Sequence, residues 1–324
     1  MKIEIIHKDS GYAEQFQLFC EKNALVFNSK KWLDVYEASQ IQSCAIFNKN
    51  NDVIGCFVYY IFKKSSFKFI ITPPYAPHIE LFYVNPAESI VGKNTFDKEI
   101  SEALAVYFKS LSYDYFNINL PINIVDTQPF IWQKFQSRNR FTYLIDLSLS
   151  EEQLWNNLSS EKRKSIKKAE KDGLLIEISE DKKRIYDLVL KSLNRNEKNK
   201  NANIIKNILT EFASNSNSYA FTARLGQDYL ATAFCIQYGG KSMYLFGGFD
   251  DQNKHHGAHV SCMWQCILKA KKQGLVYFDF EGSMNKSIER YFREFGGELK
   301  SYSCIEDVKP TVALLLKLKG GLPI

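Results

Sequence analysis

Two carboxylates, Asp279 and Glu281, close an alternating apolar run at residues 275–281. In an extended chain the side chains alternate, so Val276, Phe278 and Phe280 share one face and Tyr277, Asp279 and Glu281 the other. Open α/β sheets place ligands beyond the carboxyl ends of their strands. Like charges held close together raise the pKa of one of them, which produces a general base for an amine. Glu281 is the expected base. Asp279 either shares that work or bonds loop amides and a neighbouring Lys or Arg. Upstream, the loop Asp250-Asp251-Gln252-Asn253-Lys254-His255-His256-Gly257-Ala258-His259 runs straight into a helical pattern. A short loop of this kind delivers backbone N–H groups into a helix N-terminus, where an anion is stabilised. Gly257 admits close backbone approach and Lys254 can neutralise the charge. Lys254, His255, His256, Gly257, Ala258 and His259 are therefore candidate donor-binding residues, with a glycine-containing turn and a solvated lysine as the plainer alternative.

Two further clusters carry possible chemistry. His259, Cys262 and Cys266 fall at i, i+3 and i+7 of that helix, with His255 and His256 nearby, which raises zinc. Four ligands drawn almost wholly from one helix make poor tetrahedral geometry, and both cysteines sit at core spacing, so no metal is assigned. The segment SSEKRKSIKKAEK at 159–171 has serine caps at its start and Gly173 beyond its end. Leu158, Ile166 and Ala169 form its apolar side, leaving Arg163, Lys164, Lys167, Lys168 and Lys171 around the rest. Such a helix either presents a solvated face or binds phosphate or RNA; Arg163, Lys164 and Lys167 are the candidate acceptor- or phosphate-binding residues.

The elements that must position these groups occur twice. Residues 44–71 read as three strands joined by turns, followed by a helix, an alternating strand at 113–120, a short aromatic helix and a strand at 140–147. Residues 219–305 repeat that order. At an offset of 176, Asp52 falls on Asp228, Gly55 on Ala231 and Lys63-Lys64 on Gly239-Gly240; the following helix and strand match at an offset of 162. The difference between the offsets is the long proline-containing loop at 72–97, which shrinks in the second copy to 247–259. A duplicated α/β domain is expected, with the anion site in the second copy. The expected division is 1–147 as the structural or acceptor side, 148–310 as the donor side, and 311–324 as a tail.

Composition narrows the partners. The chain has 324 residues, 45% of them apolar, with 24 Phe and 18 Tyr, which excludes a disordered protein. Its formal net charge is +6, and residues 159–200 hold thirteen Lys and Arg against eight acids, so +5 of it is regional. Regional charge favours a specific anionic partner. No apolar stretch reaches the roughly 18 residues of a membrane span, and the first residues lack a signal-peptide pattern. Seven cysteines without a CxxC pair read as reduced thiols. A cytoplasmic location is expected.

The order of motifs resembles a known group. Lys254-x-x-Gly257-x-His259 is similar to the pyrophosphate loop of GCN5-related N-acetyltransferases, with His259 where that loop has Gly or Ala. Leu154-Trp155-Asn156-Asn157-Leu158 and Lys162-Arg163-Lys164-Ser165-Ile166-Lys167-Lys168-Ala169 resemble the basic helix of Fem-type peptidoglycan aminoacyl transferases and their acyltransferase relatives. Tyr277 to Ser283, Ile288 to Phe292 and Phe295-Gly296-Gly297 resemble that group's closing strand, helix and strand. The resemblance runs from Phe27-Asn28-Ser29 to Cys304. It implies tandem acetyltransferase-like domains, each a mixed, largely antiparallel sheet flanked by helices. It implies transfer of an acyl or aminoacyl group to an amine, on a small molecule or a cell-wall precursor, with acyl-CoA or aminoacyl-tRNA as co-substrate and no tightly bound cofactor.

By the same resemblance, Arg163 and Lys164 would meet an anionic substrate or donor, and residues 254–259 would lie at the donor end. Such folds often carry a proton-donating Tyr four residues before the helix-ending Gly. Here that position is Phe292, and Tyr291 beside it is rotated about 100° around a helix. Tyr291 serves as the acid, or the leaving group is protonated otherwise, or this copy is weakened. The long helical arm of some tRNA-using members is missing between 184 and 217, which tilts the expectation toward a small thioester donor. A non-catalytic tandem domain that binds nucleic acid or an anionic glycan precursor through 159–200 is the alternative.

Overall fold

The computed structural model describes residues 1–7, 9–194 and 201–318. Arg195, Glu197, Lys198 and Lys200 of the basic region, and residues 319–324 of the tail, lie outside the described residues. The chain divides into two compact units: Met1–Arg140 with Ser301–Ile324, and Phe141–Lys300.

The first unit runs β1 (Lys2–Ile5), α1 (Ala13–Lys22), α2 (Lys30–Leu33), β2 (Ile41–Phe47), β3 (Val53–Lys64), β4 (Phe67–Ile71), β5 (Phe82–Tyr83), α3 (Ile90–Ser110), β6 (Tyr115–Asn119) and α4 (Gln128–Trp132). Strand β7 (Gln136–Asp146) leads into the second unit. There follow α5 (Glu151–Asn157), α6 (Ser160–Lys171), β8 (Leu175–Ile178), α7 (Lys182–Asn194), α8 (Ala202–Asn207), a π-helical turn (Ile208–Phe212), β9 (Ser218–Leu225), β10 (Asp228–Tyr238), β11 (Lys241–Phe249), α9 (Ala258–Lys272), β12 (Tyr277–Asp279) and α10 (Lys286–Arg293). The chain then returns to the first unit with β13 (Glu298–Val308) and α11 (Pro310–Leu318). Among the described residues no helix is long and apolar enough to cross a membrane.

Strands in the first unit are ordered β1-β2-β3-β4-β6-β13, with β5 on β3; in the second they are ordered β8-β9-β10-β11-β12-β7. Each sheet is an antiparallel meander followed by one parallel step across a helix, β4 to β6 over α3 and β11 to β12 over α9. The duplicated order read from the sequence is thus present in mixed α/β units. The closing strands differ from that reading. The sequence assigns 140–147 to the first copy and 298–305 to the second, whereas Leu144–Asp146 of β7 pair with β12 and Cys304–Val308 of β13 pair with β6. Unit boundaries therefore fall at Arg140 and Ser301 rather than at 147 and 310. Two similar closing strands have the same alternation, and alternation does not specify a partner.

Each unit has its own core. In the second, α9 lays Cys262, Met263, Cys266 and Ile267 against Ala223, Ala231, Ala233 and Cys235 of β9 and β10. Small residues on the strands let the helix lie close. In the first, Leu104 and Phe108 of α3 pack on Phe57, Phe116 and Ile118. Fully burying side chains of this size contributes roughly 1.5–3 kcal/mol each. The proline-containing loop of the first unit is pinned by Glu80, a buried acid whose Oε2 accepts from the backbone N–H of Asn28 at 2.5 Å and from its Nδ2 at 2.9 Å.

Candidate active site

The parallel pair β11–β12 parts at a defined point. Lys241, Ser242 and Met243 pair with Tyr277, Phe278 and Asp279; β12 then ends while β11 continues to Phe249. The β11 side of this opening is irregular as well. Its register with β10 shifts between Phe234–Phe246 and Cys235–Tyr244, leaving Leu245 as a bulge.

Glu281 stands at this opening. Its backbone is left-handed (φ +62°), a conformation non-glycine residues rarely adopt. Asp279 holds it there: its Oδ1 accepts from the Glu281 N–H at 2.8 Å and from the Thr142 hydroxyl at 2.7 Å. Burial, and then the Asp279 charge, push the half-buried Glu281 carboxyl up to about 8. Burial also raises Asp279. The strand brings the two acids together in a supporting arrangement, one carboxyl fixing the backbone of the other.

A second polar group lies on α9 and α10. Nδ1 of His259 is 2.7 Å from the Tyr291 hydroxyl and its Nε2 is 3.3 Å from the Tyr244 hydroxyl. Burial, then the Lys162 charge, lower the His259 pKa to about 4, so the ring is neutral. Burial raises both phenols well above their ordinary value, and the nearby Glu281 charge adds to the rise at Tyr244. Lys162, only 5% exposed, places its ammonium 3.5 Å from the Tyr291 ring centroid and 3.5 Å from Glu294. Phe292, in contrast, is core, stacked on Phe280 at 5.0 Å between centroids.

The loop before α9 closes on itself. The Gly257 N–H donates to Nδ1 of His255 at 3.1 Å, and the Ala258 N–H donates to the His255 carbonyl at 3.0 Å. Nε2 of His255 faces Asp172 at 2.9 Å, and Asp172 also binds Lys168. A Cβ on Gly257 would lie 2.4 Å from the Ser165 carbonyl of α6, so a glycine is required by that helix. Lys254 is exposed and pairs with Asp251 at 3.0 Å; His256 is exposed. Cys262 and Cys266 are buried, with their thiols toward the carbonyls of Ala231 and Ala233.

On α6 the candidate cations separate. Arg163 turns back onto α5, its Nη1 donating to the carbonyls of Asn156 at 2.8 Å and Leu158 at 2.5 Å, which caps that helix. Lys164 and Lys167 are exposed. The helix buries Lys162 in line with Leu158, Ile166 and Ala169. Sequence reasoning counted Lys162 only as charge and did not select Tyr244. The signal for Lys162 was available, since 158, 162, 166 and 169 form one helical stripe; a tyrosine inside a strand carries no such signal.

Comparison with known proteins agrees with this architecture. Residues 157–293 match the family model of the acetyltransferase (GNAT) domain. Across the whole chain, the crystal structure of FemX superposes with a TM-score of 0.66 at 13% identity, covering 98% of this chain and 99% of that one. The tandem GNAT protein from the clavulanic acid biosynthesis pathway, solved without AcCoA, gives 0.54 at 8% identity over 94% and 98%. The C-terminal domain of a putative lysylphosphatidylglycerol synthetase from Agrobacterium fabrum gives 0.54 at 10% identity over 94% and 94%. No curated protein matches the sequence. The chain therefore has a tandem GNAT-like fold, and residues 157–293 are the part that matches the acetyltransferase (GNAT) domain model.

Proposed function

We propose that the second unit transfers an acyl or aminoacyl group to an amine carried by a small molecule or a cell-wall or lipid precursor. The observation that carries this reading is Glu281, a carboxyl held near 8 at the point where β11 and β12 part. Glu281 takes the proton of the attacking amine. The donor carbonyl lies along β11 beyond Met243, where strand N–H groups stabilise the developing oxyanion. Tyr291 returns a proton to the leaving group.

Two donors fit the fold, acyl-CoA and aminoacyl-tRNA. The closed loop at Gly257 supports the second, because the N–H groups of Gly257 and Ala258 that would receive a diphosphate are already bonded to His255. This weighs against the small thioester expected from the missing helical arm. Lys164 and Lys167 are exposed cations of α6 that a nucleic-acid or phosphate-bearing substrate can reach. The test is binding and single-turnover transfer with acetyl-CoA, a longer acyl-CoA and an aminoacyl-tRNA mixture, against a panel of amines. Turnover that Glu281→Gln removes supports the reading; failure of every donor to bind above millimolar affinity ends it.

A further inference from the structure

A neutral imidazole has one N–H and one lone pair. His259 lies between two phenols, Tyr291 at Nδ1 and Tyr244 at Nε2, so it donates to one and accepts from the other. Only the phenol that accepts keeps its own O–H free to point elsewhere. If Nε2 carries the hydrogen, Tyr291 must donate to Nδ1 and has no proton to offer a substrate. If Nδ1 carries it, Tyr244 donates to Nε2 and Tyr291 is free to donate outward.

We infer that His259 is held as the Nδ1–H tautomer and that Tyr244, His259 and Tyr291 form a proton relay feeding the leaving group. This rests on the transferase reading above. As the bond from the donor carbonyl to its leaving sulfur or oxygen breaks, that atom takes the Tyr291 hydroxyl proton. The Nδ1 proton of His259 moves to the Tyr291 oxygen, and the Tyr244 proton moves to Nε2. Tyr244, left as the phenolate, is reprotonated through water by the proton that Glu281 took from the amine, and His259, left with its hydrogen on Nε2, returns to the Nδ1–H form by exchange with water before the next turnover. Tyr291 is the catalytic member; His259 and Tyr244 act through it.

Two features of the surroundings suit the relay. Lys162 lies over the Tyr291 ring, where its charge favours the phenol at the moment its proton leaves. The same charge, with burial, keeps His259 from becoming an imidazolium, which would have no lone pair for Tyr244. The groups facing His259 are thus Tyr244 on β11, Tyr291 on α10 and Lys162 on α6.

The test reads the tautomer directly. Long-range proton–nitrogen correlation spectra of labelled protein at pH 7, without donor, give the protonation of each ring nitrogen, and His259→Gln assigns the signal among the five histidines. The expected result is a protonated Nδ1 and a bare Nε2 whose shift moves in Tyr244→Phe. A protonated Nε2, or an imidazolium, overturns the relay. This readout needs no turnover, so it separates failure of the relay from failure of the transferase reading. If the wild type is active, Tyr244→Phe and His259→Gln should each lower kcat about tenfold to a hundredfold with donor KM unchanged. Full kcat in both variants, with melting curves showing a folded protein, also overturns it.

Discussion

Lys162 and Tyr291 meet face on, the ammonium 3.5 Å from the ring centroid, with the Glu294 carboxylate 3.5 Å away on the cation. A buried cation is tolerated only where such partners replace water. Lys162→Ala should cost about 2–3 kcal/mol in denaturant unfolding, since it opens a void and leaves Glu294 with Arg290, 3.0 Å away, as its cationic partner. Lys162→Met, which keeps the volume, should cost less than half of that. Burial lowers the Lys162 pKa from 10.5 to about 8. Between those values the unfolded chain binds the extra proton, so wild-type stability should rise with pH across that interval, and Lys162→Met should abolish the rise. His259 should also titrate higher in Lys162→Met by NMR; an unmoved pKa would mean that the cation does not hold the ring neutral.

Glu281 should control the acid side of the pH–rate profile. With its carboxyl near 8, kcat/KM is expected to fall as pH drops below that value and the base becomes protonated. Glu281→Gln should lower kcat/KM by roughly 10²–10⁴ and remove that limb. The stability effect has the opposite sense. A carboxyl raised in the folded state favours folding at low pH and loses that advantage as pH rises from 4.5 through about 8. Glu281→Gln should therefore melt higher than wild type at pH 9 and close to it at pH 4. A variant equally shifted at both would contradict the burial of this charge.

Gly257→Ala and Gly173→Ala separate two reasons for a glycine. At Gly257 the new Cβ would meet the Ser165 carbonyl at 2.4 Å and Ala169 at 2.8 Å, so α6 must move off α9. At Gly173 there is open space but φ is +78°, and only the backbone preference is lost. The expected costs are about 1–3 kcal/mol for the first and about 1 kcal/mol for the second. Hydrogen exchange should quicken along α6 in Gly257→Ala alone.

Arg163 and Lys167 sit on the same helix and should fail differently. Arg163→Ala uncaps α5 and should cost about 1–2 kcal/mol of stability through lost charge-assisted hydrogen bonds, discounted for partial exposure. Lys164→Glu with Lys167→Glu should leave melting nearly unchanged but weaken and flatten salt-dependent binding of an anionic substrate. Unaltered binding in the double variant would remove Lys164 and Lys167 as substrate contacts.

Much of this was legible in the chain itself, and the limits are physical. The N-cap of α6, Ser159, and the left-handed Gly173 just past its C-cap Asp172 are local signals and lie where the sequence places them. Alternation at 275–281 put Val276, Phe278 and Phe280 on one face and Asp279 and Glu281 together on the other; Phe278 and Phe280 are core, whereas Val276 is exposed and Asp279 is buried. Periodicity reports which side of an element is buried, not what lies opposite. That is why His259 reads from sequence as a loop residue at a helix start, while its hydroxyl partners come from residues 244 and 291. The same limit applies to Gly257, whose spacing suggests a diphosphate and whose neighbour is the backbone of α6. Arg163 looks solvated beside Lys164, yet it reaches carbonyls only because α5 ends within its length.

The return of β13 to β6 bears on how the protein is made. Its Cys304–Val308 segment completes the sheet of a unit whose other strands have already been synthesised. The amino-terminal unit therefore cannot finish folding as it leaves the ribosome. It must wait, one sheet edge unpaired, while the whole second unit is translated. The inserted domain can fold first, and the unit that begins the chain is the last to close.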